Sequence, residues 1–235
     1  MDGRLRRLVD ASEAIVFFGG AGVSCESGIP DFRSTGGLYH QEWSYPPETI
    51  LSHTFYKSNP EEFFRFYRAK MLCPEAKPNA AHKKLAQWEQ EGRLLAVVTQ
   101  NIDGLHQAAG SRNVYELHGS VHRNHCERCG KFYSLDHILH TTGVPRCACG
   151  GIIKPDVVLY EEALNEQVMD GAVQAIAAAD MLIIGGTSLN VWPAAGLINY
   201  FRGEHLVLIN KSAVARDLTA DLVITDPIGE VLDQL

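Results

Sequence analysis

A glycine-rich turn follows the first apolar run of the chain. Residues 14–18 are apolar, and residues 19–24 read GGAGVS. In such a turn, backbone N–H groups and a helix N-terminus can hold a pyrophosphate. The pattern departs from G-x-G-x-x-G, because Cys25 occupies the place of the third glycine and no acidic residue closes a second strand about twenty residues later. Taken alone, the turn indicates either a nucleotide site or a plain tight turn.

Four of the six cysteines are spaced like the ligands of a structural metal site. Two residues separate the first pair, one separates the second, and 17 residues lie between the pairs. Four thiolates complete a tetrahedron, so we predict one structural zinc ion, with two disulfides or four free thiols as alternatives. The predicted ligands are Cys126, Cys129, Cys147 and Cys149. The nearby histidines are predicted to be surface residues rather than ligands: His122, His125, His137 and His140.

Three polar residues are placed where a sheet presents side chains to a ligand. His118 stands just before Gly119 at a predicted strand end, and Asn101 and Asp103 follow the apolar run 94–98. The carboxyl edge of a parallel sheet is the usual ligand crevice, and imidazole titrates near neutrality, as a general base needs. For Asn101 and Asp103 the alternative is an Asx turn, which the order Asn-x-Asp-Gly suits.

Short runs rich in Val and Ile alternate with longer amphipathic stretches. The runs predict strands at 14–18, 94–98, 181–184, 206–209 and 222–224, and the stretches predict helices at 79–90, 166–179 and 193–201. This alternation is typical of buried parallel strands joined by helices. We therefore predict an α/β fold built on a Rossmann-like parallel sheet with helices on both faces.

Two segments interrupt this alternation and predict a smaller domain. Residues 31–75, rich in aromatic side chains, are predicted to form a cofactor lid and helical module, and residues 120–155 a zinc-ribbon module. The second segment has little apolar periodicity, so it cannot bury a core of its own and needs a cross-link such as a bound metal ion. The Rossmann-like domain is then discontinuous, comprising residues 1–30, 76–119 and 156–235.

Composition narrows the class of protein. The 235 residues carry a formal net charge of -7, which argues against direct nucleic-acid binding. No apolar run is long enough to cross a bilayer, so no membrane role is expected. Residues 1–10 contain three arginines but no apolar core of a secretion signal. We expect a cytoplasmic protein.

Five blocks, in order along the chain, carry a family resemblance. They are residues 20–34 (GAGVSCESGIPDFRS), 99–106 (TQNIDGLH), 116–120 (ELHGS), 186–189 (GTSL) and 208–210 (LIN). Together they resemble the sirtuin family of NAD-dependent protein deacylases, in its bacterial form. The family usually has C-x-x-C in both cysteine pairs, whereas the second pair here is C-x-C, which affects the geometry of one knuckle but not the number of ligands.

The resemblance implies roles for the site residues. His118 would be the general base that deprotonates a ribose hydroxyl of NAD, Asn101 would orient the nicotinamide ribose and a water, and Asp103 would accept from the nicotinamide carboxamide. Phe32 and Arg33 would belong to a lid that shields the reactive carbon and fixes the cofactor. The remaining implied NAD contacts are Gly20, Ala21, Gly22, Cys25, Asp31, Gln100, Ile102, Gly186, Thr187, Ser188, Asn210 and Ile228.

The resemblance also implies the reaction and the partner. The acyl oxygen of a modified lysine would attack the ribose carbon that bears nicotinamide, and the acyl group would leave as O-acetyl-ADP-ribose. The partners would be acetylated-lysine proteins or peptides, bound as an added strand. Val157, Val158 and Tyr160 would contact the peptide, with Val157 over the acyl-lysine tunnel.

Two finer expectations rest on single positions. Family members specialised for acidic acyl groups carry Tyr-x-x-Arg, whereas residues 67–70 here read Tyr-Arg-Ala-Lys. Lys70 lacks the planar fork of arginine, so we predict a deacetylase with weak or absent desuccinylation. At Cys25 a helix N-terminus could lower the thiol pKa, although a small buried residue is the simpler interpretation.

Three other functions share parts of this pattern. Mono-ADP-ribosyl transfer would use the same activated ribose, and it is the main alternative. A nucleotide sensor joined to a zinc ribbon would not need the base His118. A dehydrogenase is disfavoured by the missing third glycine and the missing acidic residue.

Overall fold

The computed structural model describes residues 3–31, 43–212, 214 and 219–235. Its strands are β1 (Ile15–Gly19), β2 (Leu94–Thr99), β3 (Val114–Glu116), β4 (Gly119–Cys126), β5 (Phe132–Ser134), β6 (Ile153–Val157), β7 (Met181–Gly185), β8 (His205–Ile209) and β9 (Leu222–Ile224). Its α-helices are α1 (Arg4–Ala11), α2 (Pro47–Ile50), α3 (His53–Ser58), α4 (Pro60–Phe66), α5 (Ala80–Gln90), α6 (Leu105–Ala109), α7 (Leu135–Leu139), α8 (Glu166–Ala178) and α9 (Ile228–Asp233). Among the described helices, none is both long and apolar enough to span a membrane.

A six-stranded sheet in the order β3-β2-β1-β7-β8-β9 forms the centre of the molecule. All of its pairings are parallel. The chain runs outward from β1 in one direction and from β7 in the other, so the order reverses between these two strands. A crevice at such a reversal, beyond the carboxyl ends of the strands, is the usual ligand site of an open α/β sheet. The predicted Rossmann-like sheet is confirmed.

Helices cover both faces of this sheet, as predicted. One face packs against α1, α5 and α9, and the other against α8 and residues 194–200. The predicted helix at 193–201 is wrong in type, because Ala194–Tyr200 forms a 3₁₀ helix. Gly196 lowers the α-helical propensity there, and it lies so close to the Trp192 ring that a Cβ would come within 2.7 Å of it.

The helical module and the cysteine-rich segment share one apolar cluster. Strands β5, β4 and β6 form a small antiparallel sheet, which packs against α2, α3 and α4. Tyr56, Phe63, Phe64 and Tyr67 are buried there with Ile153. The boundaries assigned to the three units remain a prediction.

Two buried histidines lie under the site edge of the sheet. His82 on α5 and His106 on α6 meet edge to face, with ring centroids 4.6 Å apart. Nε2 of His82 and both ring nitrogens of His106 have no hydrogen-bond partner within the described part of the chain. Burial lowers the pKa of His82 to about 4, against the opposing effect of Asp103. Burial, and then His82, lower the pKa of His106 well below its usual value.

We expect acid to destabilise the fold through this pair. His82 and His106 bind protons more weakly in the folded protein than in the unfolded chain. The free energy of unfolding therefore falls as pH drops below about 6.5, by up to about 1.4 kcal/mol per pH unit for each histidine. Denaturant unfolding of the wild type and of His106→Phe at about pH 7.5 and about pH 5 measures this. The variant should lose less stability than the wild type on acidification. An equal loss would show that the pair does not cause the sensitivity.

Candidate active site

The glycine turn packs directly against a second loop at the crevice between β1 and β7. Gly22 N donates to Gly186 O at 2.8 Å, and a Cβ on Gly22 would come within 2.8 Å of the Gly186 Cα. Gly186 itself has a φ of 58°, in the left-handed region that favours glycine. Only glycine at both positions allows the two backbones to lie this close.

The segment after the glycine turn is a 3₁₀ helix over Ala21–Ser27 rather than the start of an α-helix. The expected helix N-terminus for a pyrophosphate is therefore replaced by a tighter turn. Asn79, the N-cap of α5, holds it in place, donating from Nδ2 to Val23 O at 2.7 Å and to Ser27 Oγ at 3.0 Å.

A cavity of about 1410 Å³ opens at this crevice and extends to the small domain. Within the described residues, it is lined by every predicted cofactor and peptide contact: Gly20, Ala21, Gly22, Cys25, Asp31, Gln100, Asn101, Ile102, Asp103, His118, Val157, Val158, Tyr160, Gly186, Thr187, Ser188, Asn210 and Ile228. The predicted lid residues Phe32 and Arg33 lie outside the described residues. The structure thus brings together side chains from both ends of the chain in one space.

His118 is held in a single orientation between β3 and β4. Its Nδ1 lies 3.0 Å from Gln100 O, and because a carbonyl only accepts, Nδ1 carries the proton and Nε2 keeps its lone pair. Burial lowers the His118 pKa, against the opposing effect of this hydrogen bond. The neighbouring Gly119 (φ 74°) passes so close to Asp156 O that a Cβ would overlap it. At neutral pH His118 is therefore a neutral imidazole whose Nε2 carries the acceptor lone pair.

Asn101 and Asp103 are joined through a residue that the sequence analysis did not select. Asn101 Nδ2 donates to Ser24 Oγ at 3.0 Å, and Ser24 Oγ donates to Asp103 Oδ2 at 2.6 Å. The other oxygen, Oδ1, accepts from Leu105 N at 2.9 Å, which is the Asx turn considered as the alternative. The Asx turn is therefore present, and the role of Asp103 towards nicotinamide stays a prediction. Ser24 stands inside the glycine block, which is the signal that could have found it.

A side-chain hydrogen bond links the two halves of the site. Gln100 Nε2, after β2, donates to Thr187 Oγ1, after β7, at 2.9 Å. Asn210, after β8, donates to Ser212 O at 2.7 Å. Beside it Lys211 lines the cavity, a cation that the sequence analysis also missed. The Gln100–Thr187 contact fixes the loops after β2 and β7 relative to each other, whereas the Asn210–Ser212 contact lies within the loop after β8.

Cys25 is not an activated thiol. Its Sγ lies 3.7 Å from Ala21 O. Burial, and then the Asp31 carboxylate, raise the Cys25 pKa. The expectation that a helix N-terminus could lower this pKa is wrong, because burial and the Asp31 carboxylate outweigh the opposing charge of Lys211. The simpler interpretation as a small, partly buried residue holds.

The four predicted ligand cysteines form one cluster at the end of β4. Their sulfur atoms all lie within 4.8 Å of one another, with Cys126 and Cys149 3.4 Å apart and Cys129 and Cys147 3.6 Å apart. A tetrahedral zinc ion with Zn–S bonds of about 2.3 Å requires sulfur separations of about 3.8 Å, so the cluster fits one ion. The cysteines named here form no disulfide, and none of the nearby histidines joins the cluster within the described residues.

Comparisons with known proteins agree with this geometry. The Sir2 family model matches residues 20–193. A protein of Clostridium acetobutylicum named NAD-dependent protein deacetylase is 61% identical over 233 residues, covering 97% of this chain and 95% of its own. A solved Sir2 structure with a deacetylated p53 peptide and 3′-O-acetyl ADP ribose is 37% identical (TM-score 0.91), covering 99% of this chain and 96% of that one. A Sir2 structure with p53 peptide and NAD⁺ is 38% identical (TM-score 0.87), covering 100% and 97%.

Proposed function

The chain belongs to the Sir2 family, and from this we propose that it is an NAD-dependent protein-lysine deacetylase that releases nicotinamide and O-acetyl-ADP-ribose. The observation that carries the proposal is His118, a neutral imidazole that lines the same cavity as the two glycine loops and whose Nδ1 donates to Gln100 O. A nucleotide sensor has no need of such a base, and a dehydrogenase is disfavoured by the missing third glycine and the missing acidic residue. We also propose a cytoplasmic location and no direct nucleic-acid binding, on composition alone.

His118 would act as the general base. NAD supplies a ribose carbon whose leaving group, nicotinamide, departs as a neutral molecule when the acyl oxygen attacks. His118 Nε2 would then take the proton of a ribose hydroxyl as this hydroxyl attacks the former acyl carbon. That proton would pass to the lysine amine as its C–N bond breaks and free lysine leaves, and water would add to the acyl carbon to give O-acetyl-ADP-ribose. The hydrogen bond from Nδ1 to Gln100 O keeps Nε2 as the acceptor and favours the imidazolium that forms.

The network of Asn101, Ser24 and Asp103 would hold the nicotinamide end of NAD. Its hydrogen bonds are already made in the protein alone, so the polar groups need no reorganisation when NAD binds. Each carboxylate oxygen of Asp103 keeps a second lone pair, which the nicotinamide carboxamide could use. The glycine loops that meet at Gly22 and Gly186 would approach the pyrophosphate.

An acetyl-lysine peptide would enter at the segment that follows β6. Val157 is buried in the cavity wall, whereas Tyr160 is 40% exposed at its rim. Val157 would cover the acyl-lysine chain, and Val158 and Tyr160 would contact the peptide backbone. One zinc ion at the cysteine cluster would hold the ribbon that carries β4 and β6, with no part in the reaction.

Acetyl peptides should be preferred over succinyl peptides. Lys70 lines the cavity, whereas Arg68 points away and donates to Ile138 O at 3.1 Å and to Thr141 Oγ1 at 3.0 Å. A lysine binds a carboxylate as a point charge, more weakly than an arginine that makes two parallel hydrogen bonds to it. We therefore expect kcat/KM to be at least about tenfold higher for the acetyl form of a peptide than for its succinyl form. The variant Lys70→Arg should narrow this ratio. Comparable turnover of both forms by the wild type would contradict the prediction.

The proposed function is tested by incubating the protein with an acetyl-lysine peptide, with and without NAD, and separating the products by mass spectrometry. Deacetylation that requires NAD and yields nicotinamide and O-acetyl-ADP-ribose supports it. Nicotinamide release with the peptide still acetylated would favour mono-ADP-ribosyl transfer instead.

A further inference from the structure

The proposed peptide-binding segment is tied to the protein at both ends. At its start, Val158 N donates to His118 O at 3.0 Å. At its end, Tyr160 N donates to Leu51 O at 2.9 Å, and His53 N donates to Tyr160 O at 3.0 Å. The segment therefore spans the distance between the proposed base and the junction of α2 with α3. A shift of this junction would move the peptide relative to His118.

The Glu162 carboxylate joins three parts of this region. Its Oε1 lies 2.8 Å from His53 Nδ1, and its Oε2 accepts from Lys154 Nζ at 3.1 Å and from Leu159 N at 2.9 Å. The side chains of Glu162 and Lys154 are each only 19% exposed. Burial raises the Glu162 pKa, but the hydrogen bonds from His53, Leu159 and Lys154 outweigh it and leave that pKa below its usual value. The carboxylate is therefore ionised and multiply bound at neutral pH.

Lys154 extends the same network into the segment itself. Its Nζ also donates to Val157 O at 3.1 Å and to Pro155 O at 3.3 Å. The ammonium thus holds the carbonyl of the residue that would cover the acyl-lysine chain. Because the carboxylate of Glu162 holds the ammonium, the position of Val157 O depends on both side chains.

A second contact fixes the turn that follows. Glu161 has a φ of 75°, in the left-handed region that residues other than glycine rarely adopt. Its Oε2 accepts from Thr54 N at 2.8 Å and from Thr54 Oγ1 at 2.7 Å. The turn is therefore held by α3 rather than by its own backbone preference.

We propose that these residues form a clamp, comprising His53, Thr54, Lys154, Glu161 and Glu162, which positions the segment 157–160 for acyl-peptide binding. They are positioning residues, because they act through the segment and the carbonyl of His118. The proposal rests on the deacetylase function. It assigns to the clamp a role in peptide binding and none in NAD binding.

The test separates the two substrates. Glu162→Gln keeps the shape of the side chain but removes the charge that binds Lys154 and His53, so KM for an acetyl-lysine peptide should rise about tenfold while KM for NAD stays within about twofold. Glu162→Asp, which keeps the charge, should recover part of the loss. Lys57→Gln is the matched control, because Lys57 on the same helix α3 makes an ion pair of 2.6 Å with Glu127 away from the cavity. It should leave both KM values unchanged.

Direct binding of a fluorescent acetyl-lysine peptide, measured by anisotropy, should show the same loss for Glu162→Gln. If that variant does not fold, His53→Gln removes one contact and should raise the peptide KM about threefold. Parallel rises in both KM values, or an equal rise in Lys57→Gln, would overturn the clamp. An inactive wild type would instead refute the deacetylase function, so the two failures are distinct.

Discussion

Replacing His118 with alanine should lower the deacetylation rate by about 10²- to 10⁴-fold, the usual contribution of a positioned general base. The effect should fall on kcat, because the imidazole acts on the ribose hydroxyl after the peptide and NAD have bound. NAD binding, measured by calorimetry, should weaken much less. The rate of the wild type should fall on acidification only below about pH 6.5, since burial lowers the His118 pKa and protonation removes the acceptor nitrogen.

His125→Ala is the matched control for this variant. His125 lies on β4, the strand that directly follows His118, and it is exposed and outside the cavity, with its ring 5.6 Å from that of Phe132. It should leave the rate within about twofold of the wild type. If the His118→Ala protein deacetylates at the wild-type rate, His118 is not the general base.

Replacing Cys147 with serine should release zinc and unfold the ribbon. Structural zinc sites contribute about 10–16 kcal/mol of apparent binding energy in small peptides, and a segment with little apolar core depends on that energy. Losing one of four thiolates should therefore lower zinc content from one ion per chain towards none and lower Tm markedly. Deacetylation should fall too, because β4 and β6 carry the loops beside His118 and Val157.

Cys73→Ser provides the comparison, since Cys73 is a free cysteine outside the cluster. Zinc content, measured by plasma mass spectrometry, and Tm should match the wild type in that variant. A Cys147→Ser protein that keeps both its zinc and its Tm would show that the cluster is not the structural metal site proposed.

The strands of the central sheet could be predicted where they are buried on both faces. β1 and β7 are fully buried and read as unbroken apolar runs, so their positions were predicted to within one residue. β3 was missed because it has three residues, Val114–Glu116, none of them fully buried and one of them charged. An edge strand of this kind has no apolar pattern to distinguish it from a loop.

The short helices show a different limit. Residues 193–201 have helical spacing and Ala21–Ser27 follows a glycine turn, but Ala194–Tyr200 and Ala21–Ser27 both form 3₁₀ helices, whose repeat of three residues is close to the 3.6 of an α-helix. Their type is decided by tertiary contacts such as those of Gly22 with Gly186. The sequence carries the glycines that permit such contacts but not the contacts themselves.

The candidate site could be predicted where a residue type alone suggests chemistry. His118 has such a side chain at a predicted strand end, and the four cysteines have the spacing of metal ligands. Ser24, Glu161 and Glu162 do not, and they act through partners distant in sequence: Ser24 bonds Asp103, and Glu162 bonds His53. These pairings depend on how β2, β6 and α3 pack, which local pattern does not contain.

Following the acetyl oxygen through one reaction tests the central claim most directly. The peptide carries ¹⁸O in its acetyl-lysine carbonyl, and the products formed with unlabelled NAD and water are identified by mass spectrometry. If the acyl oxygen attacks the ribose carbon as nicotinamide leaves, the label appears in the ADP-ribose part of O-acetyl-ADP-ribose. Label found in free acetate, with NAD unconsumed, would mean simple hydrolysis and would contradict the account.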